Sequence, residues 1–189
     1  MKSSLIKIKI PLEKIKLNLG CGKVIKKSSP QEKWINMDIA KLPGVDIVWN
    51  LDKYPWPFKN NTFDEVYASH VIEHAADLIK CMEELYRIIK QKGMINIKVP
   101  FFPGLYAMND PTHKHFFTYF TFEYFTPDHT YDYYSKAKFY IVKRKIIFSW
   151  NPYLKWISQF INVHPKFYSR YLSFILPSNE LQIILQVVK

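Results

Sequence analysis

Short apolar segments, separated by residues that favour turns, alternate with polar positions through the first hundred residues of the chain. Their composition and length predict β-strands at 14 to 19, 33 to 39, 45 to 51, 63 to 70 and 94 to 100. Between the last two, apolar residues recur every three or four positions from Val71 to Ile89, which predicts one amphipathic helix that Gly93 ends. A strand, a helix and a second strand in this order predict parallel pairing within an open α/β sheet.

The remainder of the chain contains two further strand-like segments, at 138 to 150 and 180 to 188, and two segments of a different character. Residues 101 to 137 are rich in aromatic and turn-forming residues, and long loops of this kind are usually functional. Residues 151 to 177 carry aromatic and aliphatic side chains at helical spacing, which predicts two short amphipathic helices.

The composition is that of a folded chain. Of its 189 residues, 48% are hydrophobic and 17% are aromatic, which excludes an intrinsically disordered protein. We therefore expect a single domain over 1 to 189, with 14 to 100 as its first half. The formal net charge of +11 favours an anionic ligand, a nucleic acid or a membrane surface. Most lysines, however, stand beside strand-like apolar residues, and solvated strand edges and faces account for them.

The two cysteines, Cys21 and Cys81, lie in a glycine turn and in the helical pattern, and no Cys-x-x-Cys pair occurs. This usage predicts a reduced, cytoplasmic protein. Lysines interrupt the apolar residues at the start of the chain, so no signal-peptide core is expected there. No apolar run approaches the length of a transmembrane helix, and we expect a soluble protein that is at most attached to a surface.

The chemistry is expected where the parallel strands end, because ligands of open α/β sheets bind at the carboxyl edge. Gly20 and Gly22 flank Cys21 directly after the first strand, and glycines allow a sharp turn and a close approach to a ligand. On its own, this pair is equally typical of any tight turn. Asp38 ends the second strand, where an acidic side chain accepts hydrogen bonds from ribose hydroxyls. Polar residues also follow the third and fourth strands: Asn50, Asp52, Ser69 and His70.

The glycine turn differs from that of nicotinamide dinucleotide sites. No third glycine follows at the G-x-G-x-x-G position, where Lys23, Val24 and Ile25 stand, and Pro30 lies in the segment where a helix would form. A pyrophosphate favours a helix N-terminus at that place. A ligand with an adenosine and no phosphate groups needs it less, and S-adenosyl-L-methionine is such a ligand.

Four segments of the chain, LNLGCG, INMDI, WPFKNNTFDEVYASHVIEH and GMINIKVP, resemble the successive motifs of class I S-adenosylmethionine-dependent methyltransferases. They are similar to the small-molecule, methyltransferase type 11-like branch. The resemblance covers 14 to 100, and DPTHKHFFT is similar to a segment of some bacterial and archaeal members. It implies an α/β, Rossmann-like fold: a mostly parallel seven-stranded sheet with an antiparallel last strand at 180 to 188 and helices on both faces. It also implies an enzyme whose cofactor is S-adenosyl-L-methionine.

The resemblance further implies which residues bind the cofactor. The glycine turn is expected to face its methionine part, Asp38 the ribose, and the residues after the third strand the adenine. The full implied set is Asn18, Gly20, Cys21, Gly22, Asp38, Ile39, Asn50, Leu51, Asp52, Ser69 and His70. Asn18 departs from the family pattern, because the family often has an acidic residue there. The helix after the glycine turn is expected to be short or absent.

Methyl transfer mainly requires that the nucleophile and the methyl group are held close and aligned. A general base is needed only when the acceptor must lose a proton, and histidine titrates in a suitable range. His70, after the fourth strand, and His113, in a loop after the fifth, are the candidate catalytic residues. Asp110, His113 and His115 have side chains that can share a divalent ion. Because no further ligand pattern accompanies them, no metal site is predicted.

Two classes of function remain open. The first is a methyltransferase acting on a small-molecule or glycan-related acceptor, whose pocket the aromatic residues of 101 to 137 would build. The alternative is a non-catalytic module of the same fold that binds nucleic acid or a membrane surface, or else a nucleic-acid methyltransferase. Nucleic acid is the less favoured partner, since SHVIEH follows the fourth strand in place of an Asn-Pro-Pro-Tyr-like sequence. The basic and aromatic segment 151 to 177 is expected either to cover the sheet as a lid or to contact an anionic membrane.

Overall fold

The computed structural model of the protein describes residues 13 to 189, so the lysine-rich start of the chain considered above lies outside the described residues. Within them, seven strands form one sheet. These are β1 (Lys14–Leu19), β2 (Glu32–Asp38), β3 (Ile47–Val48), β4 (Phe63–Ser69), β5 (Ile89–Pro100), β6 (Phe139–Ile147) and β7 (Glu180–Val187). The α-helices of the same region are α1 (Leu78–Ile88), α2 (Leu105–Met108), α3 (Lys155–Ile161) and α4 (Pro165–Phe167).

The strands are ordered β3, β2, β1, β4, β5, β7, β6 across the sheet. Strands β1 to β5 pair in parallel, whereas β7 lies between β5 and β6 and runs antiparallel to both. This confirms the predicted mostly parallel, seven-stranded sheet with an antiparallel last strand. After β1 the chain moves outward to β2 and β3 and then returns to β4 on the other side of β1. The order therefore reverses between β1 and β4, where a crevice is expected at the carboxyl ends.

The central strand β1 is covered on both faces, since its last four residues are all buried. Leu17 and Leu19 belong to one hydrophobic core that also includes apolar residues of β4 and β5. Lys16 is buried in the same strand, and its Nζ is 2.6 Å from Glu32 of β2 and 2.9 Å from Glu65 of β4. A buried charge needs such compensation. The two flanking strands therefore neutralise the lysine at the centre of the sheet.

The helix predicted after β4 begins later than expected. Between β4 and α1 the chain forms a single 3-10 turn, Ile72–His74, and then an extended segment. Asp77 ends this segment, and its side chain accepts a hydrogen bond from the Lys80 N–H at 3.0 Å. An aspartate in this geometry caps a helix N-terminus, so the helix starts at Leu78 although apolar residues recur from Val71.

The C-terminal end of α1 is also earlier than predicted. The chain passes from helix into strand at Ile89, and β5 includes Gly93, which was expected to end the helix. Ile88 and Ile89 are both fully buried. The apolar stripe continues across the boundary because helix and strand both have buried positions there, and periodicity over so few residues does not separate the two.

The aromatic segment after β5 contributes to the core. Phe117, Phe122 and Phe125 are at most 2% exposed, and the rings of the first two stack at 5.5 Å. After β6, the two short helices predicted within 151 to 177 are present as α3 and α4, and a π-helical turn at Tyr168–Leu172 extends the second. No helix of the described residues is both long enough and apolar enough to cross a membrane.

Candidate cofactor and active site

A cavity of about 400 Å³ opens at the carboxyl ends of β1, β2 and β4, where the strand order reverses. This is the size of a site for a small organic ligand. Its walls come from the strand ends, from the 3-10 turn after β4 and from the loop after α2. The lining residues are Leu19, Gly20, Met37, Asp38, Ile39, Trp49, Asn50, Leu51, Asp52, His70, Val71, His74, Thr112 and Lys114.

The turn after β1 depends on two glycines with left-handed backbone angles. Gly20 has φ +62°, and a Cβ at this position would lie 2.2 Å from Cγ2 of Val71. Gly22 has φ +50°, and open space surrounds the position of its missing Cβ. The Gly22 N–H donates to Oδ2 of Asp38 at 2.7 Å. The glycines thus bring the end of β1 against the segment after β4 and against the end of β2.

Asp38 is oriented at the cavity wall by backbone donors. Its Oδ1 accepts a hydrogen bond from the Ala40 N–H at 2.9 Å, and its Oδ2 accepts the bond from Gly22. A carboxylate oxygen has two lone pairs, so each oxygen keeps the capacity to accept one further hydrogen bond. The carboxylate, which is half-buried and lines the cavity, is therefore prepared for two neighbouring hydroxyls of a ligand.

The residues after β3 form a polar edge of the cavity. Asn50 Oδ1 accepts a hydrogen bond from the Asp52 N–H at 2.9 Å, and Asp52 Oδ1 accepts one from the Ala76 N–H at 2.7 Å. Nζ of Lys114 lies 3.4 Å from Oδ2 of Asp52. Ile39 lines the same cavity and is 66% exposed. Its apolar surface, beside these polar groups, suits a planar ring with a polar edge.

His70 follows β4 in a left-handed conformation, with φ +52°. Its Nε2 donates to Oε2 of Glu180 at 2.8 Å, and its Nδ1 lies 3.5 Å from Oε1 of Glu73. The hydrogen bond to Glu180, and then the interaction with Glu73, raise the pKa of His70 to about 9 against the opposing effect of burial. His70 is therefore an imidazolium at neutral pH and brings a positive charge to the cavity wall.

The second candidate histidine, His113, lies behind this wall and is only 7% exposed. Its Nδ1 donates to the carbonyl oxygen of Ala107 at 3.1 Å. Its Nε2 is 4.0 Å from a carboxylate oxygen of Glu73 and 3.8 Å from one of Asp110. His74 has its ring 4.9 Å from that of His113 and lines the cavity, whereas His113 is not among the described lining residues.

Comparison with known proteins agrees with this geometry. A family model for a methyltransferase domain matches residues 23 to 97. The chain is 38% identical over 76 residues to cycloartenol-C-24-methyltransferase 1 of Oryza sativa subsp. japonica. It is 39% identical over 56 residues to cycloartenol-C-24-methyltransferase of Arabidopsis thaliana. These matches cover 40% and 28% of the chain but only 22% and 17% of the relatives, so they span less than a quarter of each relative's length.

Solved structures share the fold. A SAM-dependent methyltransferase from Archaeoglobus fulgidus has a TM-score of 0.62 at 20% identity, with 93% of this chain and 87% of that chain covered. An S-adenosylmethionine-dependent methyltransferase from Mesorhizobium loti has a TM-score of 0.54 at 13% identity, with 92% and 91% covered. Residues 23 to 97 thus match a methyltransferase-domain family, and the chain shares the fold of S-adenosylmethionine-dependent methyltransferases. The family implies S-adenosyl-L-methionine as the cofactor.

The fold brings most of the predicted cofactor residues to the cavity. Those that line it are Gly20, Asp38, Ile39, Asn50, Leu51, Asp52 and His70. The other predicted residues, within the part of the chain that the structure describes, are not among the lining residues: Asn18, Cys21, Gly22 and Ser69. Gly22 nevertheless acts on the site, because its N–H holds Asp38.

Asn18 and Cys21 are engaged in hydrogen bonds below the cavity. Asn18 is 2% exposed, and its Nδ2 donates to the Val24 carbonyl at 2.8 Å and to Asn36 Oδ1 at 3.0 Å. The Cys21 N–H donates to the Met37 carbonyl at 3.1 Å, and burial raises the pKa of the Cys21 thiol. The amide of Asn18 therefore anchors the loop after the glycine turn.

Sequence reasoning missed several lining residues of the cavity: Leu19, Met37, Trp49, Val71, Thr112 and Lys114. The apolar residues among them follow the pattern of core positions, and no other sequence signal marks them as lining a cavity. Thr112 and Lys114 lie in DPTHKHFFT, whose similarity to family members was the available signal. The Lys114 N–H donates to the Glu73 carbonyl at 2.8 Å, and this bond attaches the segment to the turn after β4.

Proposed function

We propose that the chain transfers a methyl group from S-adenosyl-L-methionine to a small-molecule or glycan-related acceptor. The observation that carries the proposal is the Asp38 carboxylate, which two backbone N–H groups orient at the wall of a cavity of about 400 Å³. The cycloartenol methyltransferases are named for methylation of cycloartenol at C-24, and this relationship supports a small-molecule acceptor.

The residues present fit this cofactor. Gly20 removes a side chain where the backbone borders the cavity, and Asp38 offers its carboxylate to the ribose hydroxyls. Ile39 offers apolar surface to the adenine, and Asn50 and Asp52 offer it a polar edge. When bound, the cofactor supplies a methyl group on a positively charged sulfonium centre. The task of the protein is then to bind, to align the acceptor and to exclude water.

Both predicted catalytic histidines enter the proposal in positioning roles. His70 is held between Glu180 and Glu73, and its protonated ring at neutral pH favours charge interaction with the acceptor over proton abstraction. General base catalysis by His70 would require that it first lose its proton. His113 supports the same wall from behind, through Glu73 and His74.

We further propose that the segment 151 to 177 contacts an anionic membrane surface, which suits a lipid-linked acceptor. Large apolar side chains of this segment are exposed by 63% to 86%: Tyr153, Trp156, Phe160, Val163, Phe174 and Ile175. Proteins rarely expose continuous apolar surface without a partner. Lys155, Lys166 and Arg170 are exposed among these side chains, and such a mixture is typical of helices that lie on anionic membranes.

The other side of this segment is fixed to the protein. Ile161 and Tyr168 are 3% exposed and join the hydrophobic core. The Tyr168 hydroxyl lies 2.7 Å from Oγ of Ser178, directly before β7. These contacts support a segment with two sides, one that packs on the protein and one that we assign to the membrane contact.

Isothermal titration with S-adenosyl-L-methionine and S-adenosylhomocysteine tests the cofactor assignment. Asp38→Ala is expected to weaken both affinities about 100-fold, because two hydrogen bonds to a charged acceptor contribute about 1.5 kcal/mol each. Asp128→Ala removes an exposed aspartate elsewhere and is the matched control. Circular dichroism checks that both variants fold. A wild-type protein that binds neither ligand at millimolar concentration would overturn the proposal.

The net charge of +11 favours one rival function, that of a non-catalytic module that binds nucleic acid. Steep salt dependence of binding to a random oligonucleotide, without cofactor binding, would favour that function. Cofactor binding without retention of the oligonucleotide at low salt would remove it.

A further inference from the structure

Three potential metal ligands meet behind the wall of the cavity. Glu73 and His74 lie in the 3-10 turn after β4, and His113 lies in the loop after α2. One donor atom from each residue can be chosen such that all three lie within 4.8 Å of one another. We call these residues the Glu73–His74–His113 cluster. It differs from the set Asp110, His113 and His115 that the sequence suggested, because His115 Nε2 instead bonds to the Ala75 carbonyl at 2.8 Å.

Glu73 is the unusual member of the cluster. Its side chain is 0% exposed, and neither carboxylate oxygen has a hydrogen-bond partner among the described residues. The nearest imidazole nitrogens are Nδ1 of His70 at 3.5 Å and Nε2 of His113 at 4.0 Å, both beyond good hydrogen-bond length. Burying a carboxylate without hydrogen bonds is costly, and a cation that it contacts directly removes that cost.

His113 is oriented as a metal ligand requires. Its Nδ1 donates to the Ala107 carbonyl at 3.1 Å, which leaves the lone pair of Nε2 on the side of Glu73. Ligating histidines commonly donate their second nitrogen to a carbonyl or carboxylate, because this fixes the tautomer and the ring orientation. Oδ2 of Asp110 lies 3.8 Å from the same Nε2, so a second carboxylate is close to the cluster.

We propose that Glu73, His74 and His113 bind one divalent transition-metal ion at the wall of the cavity. Two imidazoles and a carboxylate suit manganese, iron, cobalt or zinc. When an ion lies about 2.1 Å from each donor atom, the donor atoms are about 3 to 4 Å from one another. Modest side-chain rotation therefore brings the three donors of the cluster to the ion. Because His74 lines the cavity, the remaining coordination positions are accessible from there.

This inference rests on the proposed function for its chemical meaning. An ion at this wall binds an acceptor hydroxyl and lowers its pKa, so that the hydroxyl releases its proton to solvent. The acceptor class becomes a hydroxyl compound that offers an oxygen to the ion. His113 then acts as a ligand and not as a general base, and no separate base is needed.

Metal binding is tested on the full chain after dialysis against EDTA. Isothermal titration with MnCl2 and with CoCl2 is expected to give one ion per chain, and bound Co²⁺ is expected to show visible absorption of a nitrogen and oxygen site. Glu73→Gln and His113→Asn should weaken the affinity at least tenfold. His164→Asn removes an exposed histidine elsewhere and should leave it unchanged. Circular dichroism checks that the variants fold. The Co²⁺ spectrum of the wild-type chain tests the site even if a variant does not fold.

Two results would overturn the metal site: no ion bound by the wild-type chain, or equal affinity in wild type and Glu73→Gln. Titration of the same samples with S-adenosylhomocysteine separates this outcome from failure of the proposed function. Loss of the metal with cofactor affinity retained concerns the cluster, whereas loss of cofactor binding by wild type concerns the methyltransferase assignment.

Discussion

The strand ends around the cavity and the segment 151 to 177 meet solvent in opposite ways. At the strand ends, polar side chains are engaged, since Asp38 and Asp52 both accept hydrogen bonds from backbone groups of other segments. In the segment, Tyr153 and Phe160 are exposed by 86% and 74%. The first region is organised by contacts within the chain. The second leaves apolar surface uncovered, and the proposed membrane contact would cover this surface.

Replacing one buried and one exposed aromatic side chain gives the largest expected difference in the free energy of unfolding. Phe122→Ala removes a side chain that is 1% exposed, and we expect it to lower the free energy of unfolding by about 3 to 5 kcal/mol. Phe160→Ala removes one that is 74% exposed, and we expect a change below about 0.5 kcal/mol. Urea denaturation measures both values. A large loss in Phe160→Ala would mean that the segment packs more tightly on the protein than its exposure indicates.

The two glycines of the turn after β1 should also differ. In Gly20→Ala a left-handed backbone angle is combined with a Cβ 2.2 Å from Val71, so we expect a loss of stability of about 2 to 4 kcal/mol. In Gly22→Ala only the backbone angle is unfavourable, which costs about 1 to 2 kcal/mol. Thermal and urea denaturation of the pair measure the contrast. Equal losses would contradict the close contact with Val71.

Introducing at position 18 the acidic residue that similar methyltransferases often have should destabilise this chain. Asn18→Asp removes the donor that bonds to the Val24 carbonyl and to Asn36 Oδ1, and it buries a charge beside these two acceptors. We expect a loss of about 1 to 3 kcal/mol in the free energy of unfolding. Asn60→Asp is the control, because within residues 13 to 189 the Asn60 side chain only accepts a hydrogen bond, from Arg87. No difference between the two variants would remove the anchoring role of Asn18.

The smallest expected effect concerns the exposed face of the segment 151 to 177. Vesicles of phosphatidylglycerol and phosphatidylcholine should bind the wild-type chain, and Trp156→Ser with Phe160→Ser should weaken binding about tenfold through loss of buried apolar area. Tyr140→Ser, on the 54% exposed Tyr140 of β6, is the matched control. Co-sedimentation measures binding. Wild-type protein that stays in the supernatant even at low salt would refute the membrane contact.

Much of the fold followed from local patterns in the sequence. Strand periodicity predicted the parallel first half. The placement of Asp38 at the end of β2 predicted a carboxylate near the glycine turn, and the hydrogen bond from Gly22 to Asp38 agrees with this. The boundaries of α1 did not follow, because the cap at Asp77 and the start of β5 interrupt an apolar stripe that continues without a break. Local spacing reports which residues share a face, but competing caps decide where an element starts.

The sequence pattern alone determined the sheet type, the glycine turn and the acidic residue beside that turn. Each of these depends on neighbours a few residues away or on strand order. The meeting of Glu73 with His113 depended on folding, because a backbone hydrogen bond between Lys114 and Glu73 joins segments far apart in the sequence. Folding also decided which aromatic rings were covered, as Phe122 is buried and Phe160 exposed although both belong to aromatic-rich segments. Composition specifies the amount of apolar surface, and only the packing of distant segments specifies how much of it is removed from water.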